Sequence, residues 1–339
     1  MKKDLEIWQF VASRLKRKQS AMLLVVAESA GSSPGRQGFK MAVAADDLSG
    51  SIGGGLMEVN LVELAREILQ GTRHKAKGEI KTKNPGDSAF PVPHSAIVEQ
   101  VHQKNSPVAS GMICSGRQTV IFFKLNPPQL KIVREIVSAL KNYQAKTLRI
   151  SDSEFQIAET APDKPDFRFE QKGEGSFLFE EKLGFKNRLF IVGGGHCALA
   201  LSELAAKMDF HIALFDDRPF LNTLAKNKFV HEKKIIESYE RIGDFIPSGP
   251  DVYVVVMTLG YKSDEIVIRR LFDRDFKYFG VLGSRAKMKT LLKNLRREGF
   301  SPERLDRIRT PIGLPINSRT PEEIAVSIAA EIIAVKNGR

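Results

Sequence analysis

Cysteine is scarce in this chain: Cys114 and Cys197 are the only two among 339 residues. Far apart and in no C-x-x-C, they exclude a disulfide framework and an iron–sulfur ligand set. No eighteen-residue apolar run is present, which excludes a membrane-spanning helix, and the first residues do not follow the signal-peptide pattern. The expectation is a reduced, cytoplasmic protein with no membrane association. Acidic residues are in deficit, 40 against 52 lysines and arginines, giving a formal charge of +12. The excess is scattered over Lys16–Lys18, Arg73–Lys83 and Lys287–Arg297 and is not gathered on one arm. Without aromatic residues interleaved among the basic ones, nucleic-acid binding is not expected, and an anionic ligand or acidic protein partner fits better. The six histidines fall in no metal-binding spacing such as H-E-x-x-H.

The most informative stretch runs from Arg188 to Lys207. An apolar strand, Arg188-Leu-Phe-Ile-Val192, meets Gly193-Gly194-Gly195-His196; a periodic helix follows, then a second strand ending in Leu214-Phe-Asp216-Asp217. Strand, glycine turn, helix, strand and acid form a dinucleotide-binding βαβ unit. Gly193 suits the tight turn, Gly195 lets the backbone approach a pyrophosphate, and Ala198 stands where the helix packs closely on the strand. The helix start turns free amides toward an anion, and Asp216 or Asp217 is placed to meet a ribose hydroxyl. Farther on, Asp251–Thr258 and Tyr278–Gly283 read as buried parallel strands, Ser284 as a helix cap, and Thr320-Pro-Glu-Glu323 as a capping box.

The first half is patterned differently. Leu5, Trp8, Val11, Ala12 and Leu15 recur at helical spacing ahead of a strand, Met22–Ala27. A turn-rich loop, Ser29–Gly38, leads to Phe39–Ala44, and Gly50-Ser51-Ile52 runs into a second triple glycine, Gly53-Gly54-Gly55. After it, Leu56, Val59, Val62, Ala65 and Leu69 mark a helix face that Gly71 ends in a left-handed cap. With Ser32, Ser33, Arg36 and Lys40 folded back beside them, these glycines suit a phosphate, although no P-loop lysine follows. His74–Pro107 reads as a long loop or lid, Gln118–Leu125 as a strand, Lys131–Asn142 as a helix, and Leu148–Leu183 as short antiparallel strands. The expected architecture is α/β: an N-terminal mixed α+β domain over residues 1–183, then a Rossmann-like doubly wound domain over 184–339.

Six blocks, Gly50–Gly55, Gly111-Met-Ile-Cys114-Ser-Gly116, Gly193–His196, Asp216-Asp-Arg-Pro219, Gly280–Arg285 and Thr310–Glu323, resemble the xanthine dehydrogenase accessory family, XdhC/CoxI, over nearly the whole chain. The resemblance implies a maturation factor. Such a protein binds molybdenum cofactor, shelters it while a cysteine desulfurase supplies its sulfide, and helps insert it into a xanthine dehydrogenase type molybdoenzyme; a homodimer is expected. On this reading Ser32, Ser33, Arg36, Lys40 and the glycine loops hold the phosphate end. Cys114, with Arg117 nearby to favour its thiolate, approaches the metal or carries sulfur. Cys197, at a helix start where a thiol pKa falls in principle, is a packing residue, and His196 is the best-placed histidine for a ligand. Leu56 stands where many relatives have cysteine, and Leu259-Gly260-Tyr261 where they often have histidines, so a two-cysteine site and a metal role there are not carried over. Two other classes use the same glycine turn: an NAD(P)-dependent oxidoreductase with His196 or Tyr261 as proton donor, and a nucleotide-sensing regulator.

Overall fold

The computed structural model describes residues 2–71, 95–101, 116–161, 165–173 and 176–338. The chain divides into two compact units, Met1–Gly184 and Phe185–Arg339.

In the first unit the order is α1 (Lys2–Lys16), β1 (Ala21–Gly31), β2 (Lys40–Val43), β3 (Leu48–Gly50), α2 (Gly55–Gln70), β4 (Ser95–Val101), β5 (Gly116–Leu125), α3 (Leu130–Lys141), β6 (Lys146–Ser151), β7 (Phe155–Glu159), β8 (Phe167–Gln171) and β9 (Phe177–Leu183). One antiparallel sheet is ordered β3-β2-β1-β5-β4 and a second β7-β6-β9-β8. β1 is apolar without alternation because both of its faces are buried. Leu23, Val25 and Ala27 join Trp8, Val11 and Leu15 of α1, the α3 residues Val133 and Ile136, and the second sheet. Met22, Leu24 and Val26 turn the other way, onto Leu61, Val62 and Ala65 of α2. Each such side chain removed from water contributes roughly 1.5–3 kcal/mol.

The helix expected after the second triple glycine is present and ends at Gly71 with φ 69°, its amide bonding back to Glu67 and Ile68. Its core face is narrower than the spacing predicts, since Leu56 and Val59 are exposed. Within the stretch read as a lid, Ser95–Val101 pairs with β5 as the edge strand β4. A seven-residue edge strand in which Ser95–Gln100 bury one apolar residue, Val98, carries too weak a period to be legible alone.

The second unit runs β10 (Asn187–Val192), α4 (His196–Lys207), β11 (Phe210–Asp216), α5 (Asn222–Lys226), β12 (Glu232–Ile235), β13 (Gly249–Val256), α6 (Tyr261–Leu271), β14 (Phe276–Val281), α7 (Arg285–Arg297), α8 (Pro302–Leu305) and α9 (Pro321–Lys336). All pairings are parallel, in the order β12-β11-β10-β13-β14. The chain winds outward from β10 in both directions, the doubly wound pattern of a Rossmann domain. Leu189, Ile191, Tyr253 and Val255 face α4 and α9, whereas Phe190, Val192, Val254 and Val256 face α6 and α7. Ser284 caps α7, and Thr320 and Glu323 close the expected capping box on α9.

One charged group is held in the interior of the first unit. The Lys40 ammonium is 1% exposed and lies 2.7 Å from Glu181 on β9 and 3.2 Å from Asp4 on α1. Burial disfavours its charge, but the two carboxylates outweigh that and raise its pKa. Replacing Lys40 by alanine removes the cation that faces the buried Glu181 carboxylate, so Lys40→Ala is expected to cost about 3–5 kcal/mol in urea unfolding. A loss under about 1 kcal/mol would show that the triad does not hold α1 and β9 to the sheet.

Candidate functional site

The two glycine loops offer two candidate anion sites, and the structure separates them. In the second unit, Gly193 has φ 108°, and a Cβ there would lie 2.2 Å from the Met257 carbonyl oxygen. Only glycine lets the β10 turn pass so close to the end of β13. Gly194 is pinned from behind. Its amide donates to Asp216 Oδ2 at 2.6 Å, and its carbonyl accepts from the Thr223 hydroxyl at 2.5 Å. Gly195 differs from both: a Cβ on it would meet nothing within 4 Å, and it begins α4 without a side-chain cap. Four amides at a helix start lack an internal partner. The start of α4, with exposed His196 as its first residue, therefore opens onto the carboxyl edge of the sheet, where such folds bind ligands.

Asp216, read as a partner for a ribose hydroxyl, is turned onto the glycine loop and Arg218. It is fully buried, and its Oδ1 accepts from the Arg218 amide at 2.8 Å and Nε at 2.9 Å. Oδ2 accepts from the Gly194 amide and from the Arg218 guanidinium at 2.8 Å. Burial pushes its pKa up, but the Arg218 and Gly194 hydrogen bonds prevail and hold the carboxyl below its ordinary value. Four donors satisfy the carboxylate, so the acid read as a ligand group is the brace of the glycine turn. Asp217, exposed beside it and 3.8 Å from Arg218 Nε, is the acid left facing solvent.

In the first unit the loops do fold together. A Cβ on Gly53 would lie 2.5 Å from the Gly35 nitrogen, one on Gly35 2.2 Å from the Ile52 oxygen, and one on Gly116 2.6 Å from the Ser33 nitrogen. The chain places a carboxylate of its own on part of this cradle. Glu58 Oε2 accepts from the Ile52 amide at 2.8 Å, the Gly54 amide at 2.9 Å and the Ser51 hydroxyl at 2.7 Å. Buried Ser33 donates to Gln118 Oε1 at 2.9 Å. Lys40 is sealed in its ion triad. Of the residues expected to hold a phosphate here, Ser32 and Arg36 remain exposed, with Arg36 3.4 Å from the Gly31 carbonyl; Gly55 has φ 76° at the first position of α2. The sequence reading missed Glu58, although an acid in the first turn of a glycine-capped helix is a legible signal.

Cys114 lies outside the described residues. Arg117 sits at the start of β5, 54% exposed and 3.9 Å from Glu28. Cys197 is half-buried, and burial together with the charge of Glu322 raises its thiol pKa. The lowering expected from its helix start is overridden, which agrees with a packing residue. Among the described residues no group of three His, Cys, Asp or Glu side chains is placed to hold a metal, and no helix is long and apolar enough to cross a membrane.

At the end of β13 a third carboxyl shapes the crevice. Asp264 of α6 accepts from the Thr258 hydroxyl at 2.6 Å and the Thr258 amide at 3.2 Å.

Fold and glycine turn thus define a Rossmann domain preceded by a mixed α+β unit. The family model described as the XdhC Rossmann domain matches residues 189–332, and that described as the XdhC and CoxI family matches residues 14–77. The chain belongs to the XdhC/CoxI family. It is similar to the uncharacterized protein YqeB of Escherichia coli (strain K12), 31% identical over 167 residues, and to a probable xanthine dehydrogenase subunit of Bacillus subtilis (strain 168), 32% identical over 160 residues. The matches cover 49% and 47% of this chain but only 30% and 46% of those relatives. A crystal structure of a xanthine dehydrogenase from Bacillus halodurans shares the fold, with a TM-score of 0.70 and 21% identity over 99% of this chain and 96% of that one.

Burial raises the Asp264 pKa from 3.8 to about 6. The folded protein therefore holds this proton more tightly than the unfolded chain does. The resulting stabilisation is complete below about pH 4 and is lost as pH rises through about 6. Asparagine keeps an acceptor for Thr258 without the charge. Asp264→Asn should therefore gain on the parent between pH 4 and pH 6 and hold a constant advantage above, on the order of 1–2 kcal/mol. Thermal unfolding across that range checks this, and curves that stay parallel would contradict it.

Proposed function

We propose that this protein is a maturation factor for a xanthine dehydrogenase type molybdoenzyme, binding molybdenum cofactor and presenting it for sulfuration by a cysteine desulfurase and for insertion. The observation that carries the reading is the open start of α4 in a chain of the XdhC/CoxI family. Gly193 lies against the Met257 carbonyl and Gly194 is bonded to Asp216 and Thr223, while a Cβ on Gly195 would meet no atom within 4 Å and His196 is exposed. A phosphate, which molybdenum cofactor and a dinucleotide both carry, fits amides arranged in this way.

When bound, the cofactor supplies a dithiolene-held metal with soft-ligand chemistry. The protein's own residues hold and shield. The amides of Gly195, His196 and Cys197 take the anion, and the exposed imidazole of His196 stands at its edge. Asp217 and Arg218 border the crevice at the tip of β11. The protein itself is expected to turn over no purine, since its two cysteines cannot ligate an iron–sulfur chain.

Gly195 has φ −71°, a conformation any residue adopts, and no atom lies within 4 Å of where its Cβ would stand. Aspartate there caps α4 and places a carboxylate where the phosphate sits, so Gly195→Asp should raise stability by roughly 0.2–0.5 kcal/mol. It should also lower the cofactor retained on purification from a host that makes it by at least about tenfold, read as pterin fluorescence after denaturation, and leave the client enzyme present but inactive. A parent protein that carries no pterin, or a variant that retains it and still activates the client, would refute the proposal.

A further inference from the structure

One of the basic stretches of the chain falls in the second unit, on α7 and the segment that leads from it along β14. Between Arg285 and Arg309 there are nine lysines and arginines against three acids. Each of those acids is engaged: Glu298 with Arg269 at 2.6 Å, Glu303 with the Ser301 hydroxyl at 2.6 Å, and Asp306 with Arg296 at 2.5 Å. α7 contains no acidic residue. It buries Met288, Leu291 and Leu295 and exposes Arg285, Lys287, Lys289 and Lys293.

This surface continues into a groove of about 570 Å³ along β14. Half-buried Phe272, Phe276 and Phe279 form the floor, and Lys277, Arg304 and Arg309 stand on the rim. The acid Asp275 in the groove is paired with Arg307 at 3.6 Å.

β14 is also an edge of its sheet. The Arg309 amide donates to the Phe279 carbonyl at 2.8 Å, and the Val281 amide to the Arg309 carbonyl at 2.9 Å, so Phe279 and Val281 turn their backbone groups outward. By the two-residue alternation of a strand, Lys277 does the same; the Arg309 segment covers the edge from Phe279 onward, but among the described residues no strand lies beside Lys277. Exposed edges of this kind accept an added strand, with main-chain bonds for affinity and side-chain pockets for specificity.

We propose that the β14 edge is a docking face for an extended acidic segment of a partner protein, laid along β14 with apolar side chains on the phenylalanine floor and acidic ones against Lys277, Arg309 and α7. A protein segment fits better than nucleic acid because the floor aromatics are half-buried and form no row of exposed rings for base stacking. The proposal is independent of the phosphate seat at α4.

The test uses the full chain and a fluorescein-labelled peptide of Glu-Val repeats, with a Lys-Val repeat peptide and an oligothymidylate of equal length as competitors. Anisotropy should show saturable binding of the acidic peptide that weakens with salt, and binding at least about tenfold weaker in Lys277→Glu/Arg309→Glu. Both substituted residues are exposed, so circular dichroism should match the parent. Hydrogen exchange should slow at the Lys277 and Phe279 amides when peptide is bound. No binding, unchanged binding in the double variant, unprotected amides, or displacement by oligothymidylate but not by unlabelled acidic peptide would each overturn the proposal.

Discussion

The decisive interaction is the one between Asp216 and the glycine turn it braces. A triple glycine is free to adopt many shapes, and freedom alone does not make a site. Asp216 removes that freedom by taking the Gly194 amide on one oxygen and Arg218 on both, while Thr223 holds the Gly194 carbonyl. With the turn fixed against Met257, α4 starts at a set place and angle. Its first amides are left over, and leftover amides at a rigid helix start are what bind an anion without reorganising.

The first unit carries a second triple glycine, and it resolves the same problem in the opposite way. Glu58 reaches back from α2 and takes the amides of Ile52 and Gly54. Both loops are glycine-rich, precede a helix and have a carboxylate nearby. The difference is geometric: one carboxylate supports the turn from behind and leaves all of its loop's open side free, the other sits on the loop amides just ahead of its helix. Lys40 follows the same logic, since a cation that neutralises Glu181 and Asp4 in the interior is not available to a ligand.

Much of this fold was legible in the sequence. The βαβ order around Gly193, the left-handed cap at Gly71 and the capping box at Thr320 each rest on local geometries that few other residue types supply. β4 was not legible, because an edge strand needs little of its own burial. The candidate site was legible only as a neighbourhood. Glycine spacing placed the turn, but whether Asp216 faces a ligand or the turn depends on Arg218 two residues on, and whether Gly54 is free depends on Glu58. Such choices are made by hydrogen bonds between side chain and backbone, which periodicity does not register.

The central claim is that the start of α4 offers its amides to an anion, whereas Glu58 already holds the Ile52 and Gly54 amides of the other loop. Titration of inorganic pyrophosphate into nitrogen-15-labelled protein, followed amide by amide, measures this directly. The account predicts saturable shifts at Gly195, His196 and Cys197, with Ile52 and Gly54 unmoved. Shifts at Ile52 and Gly54 with the start of α4 unchanged would contradict it.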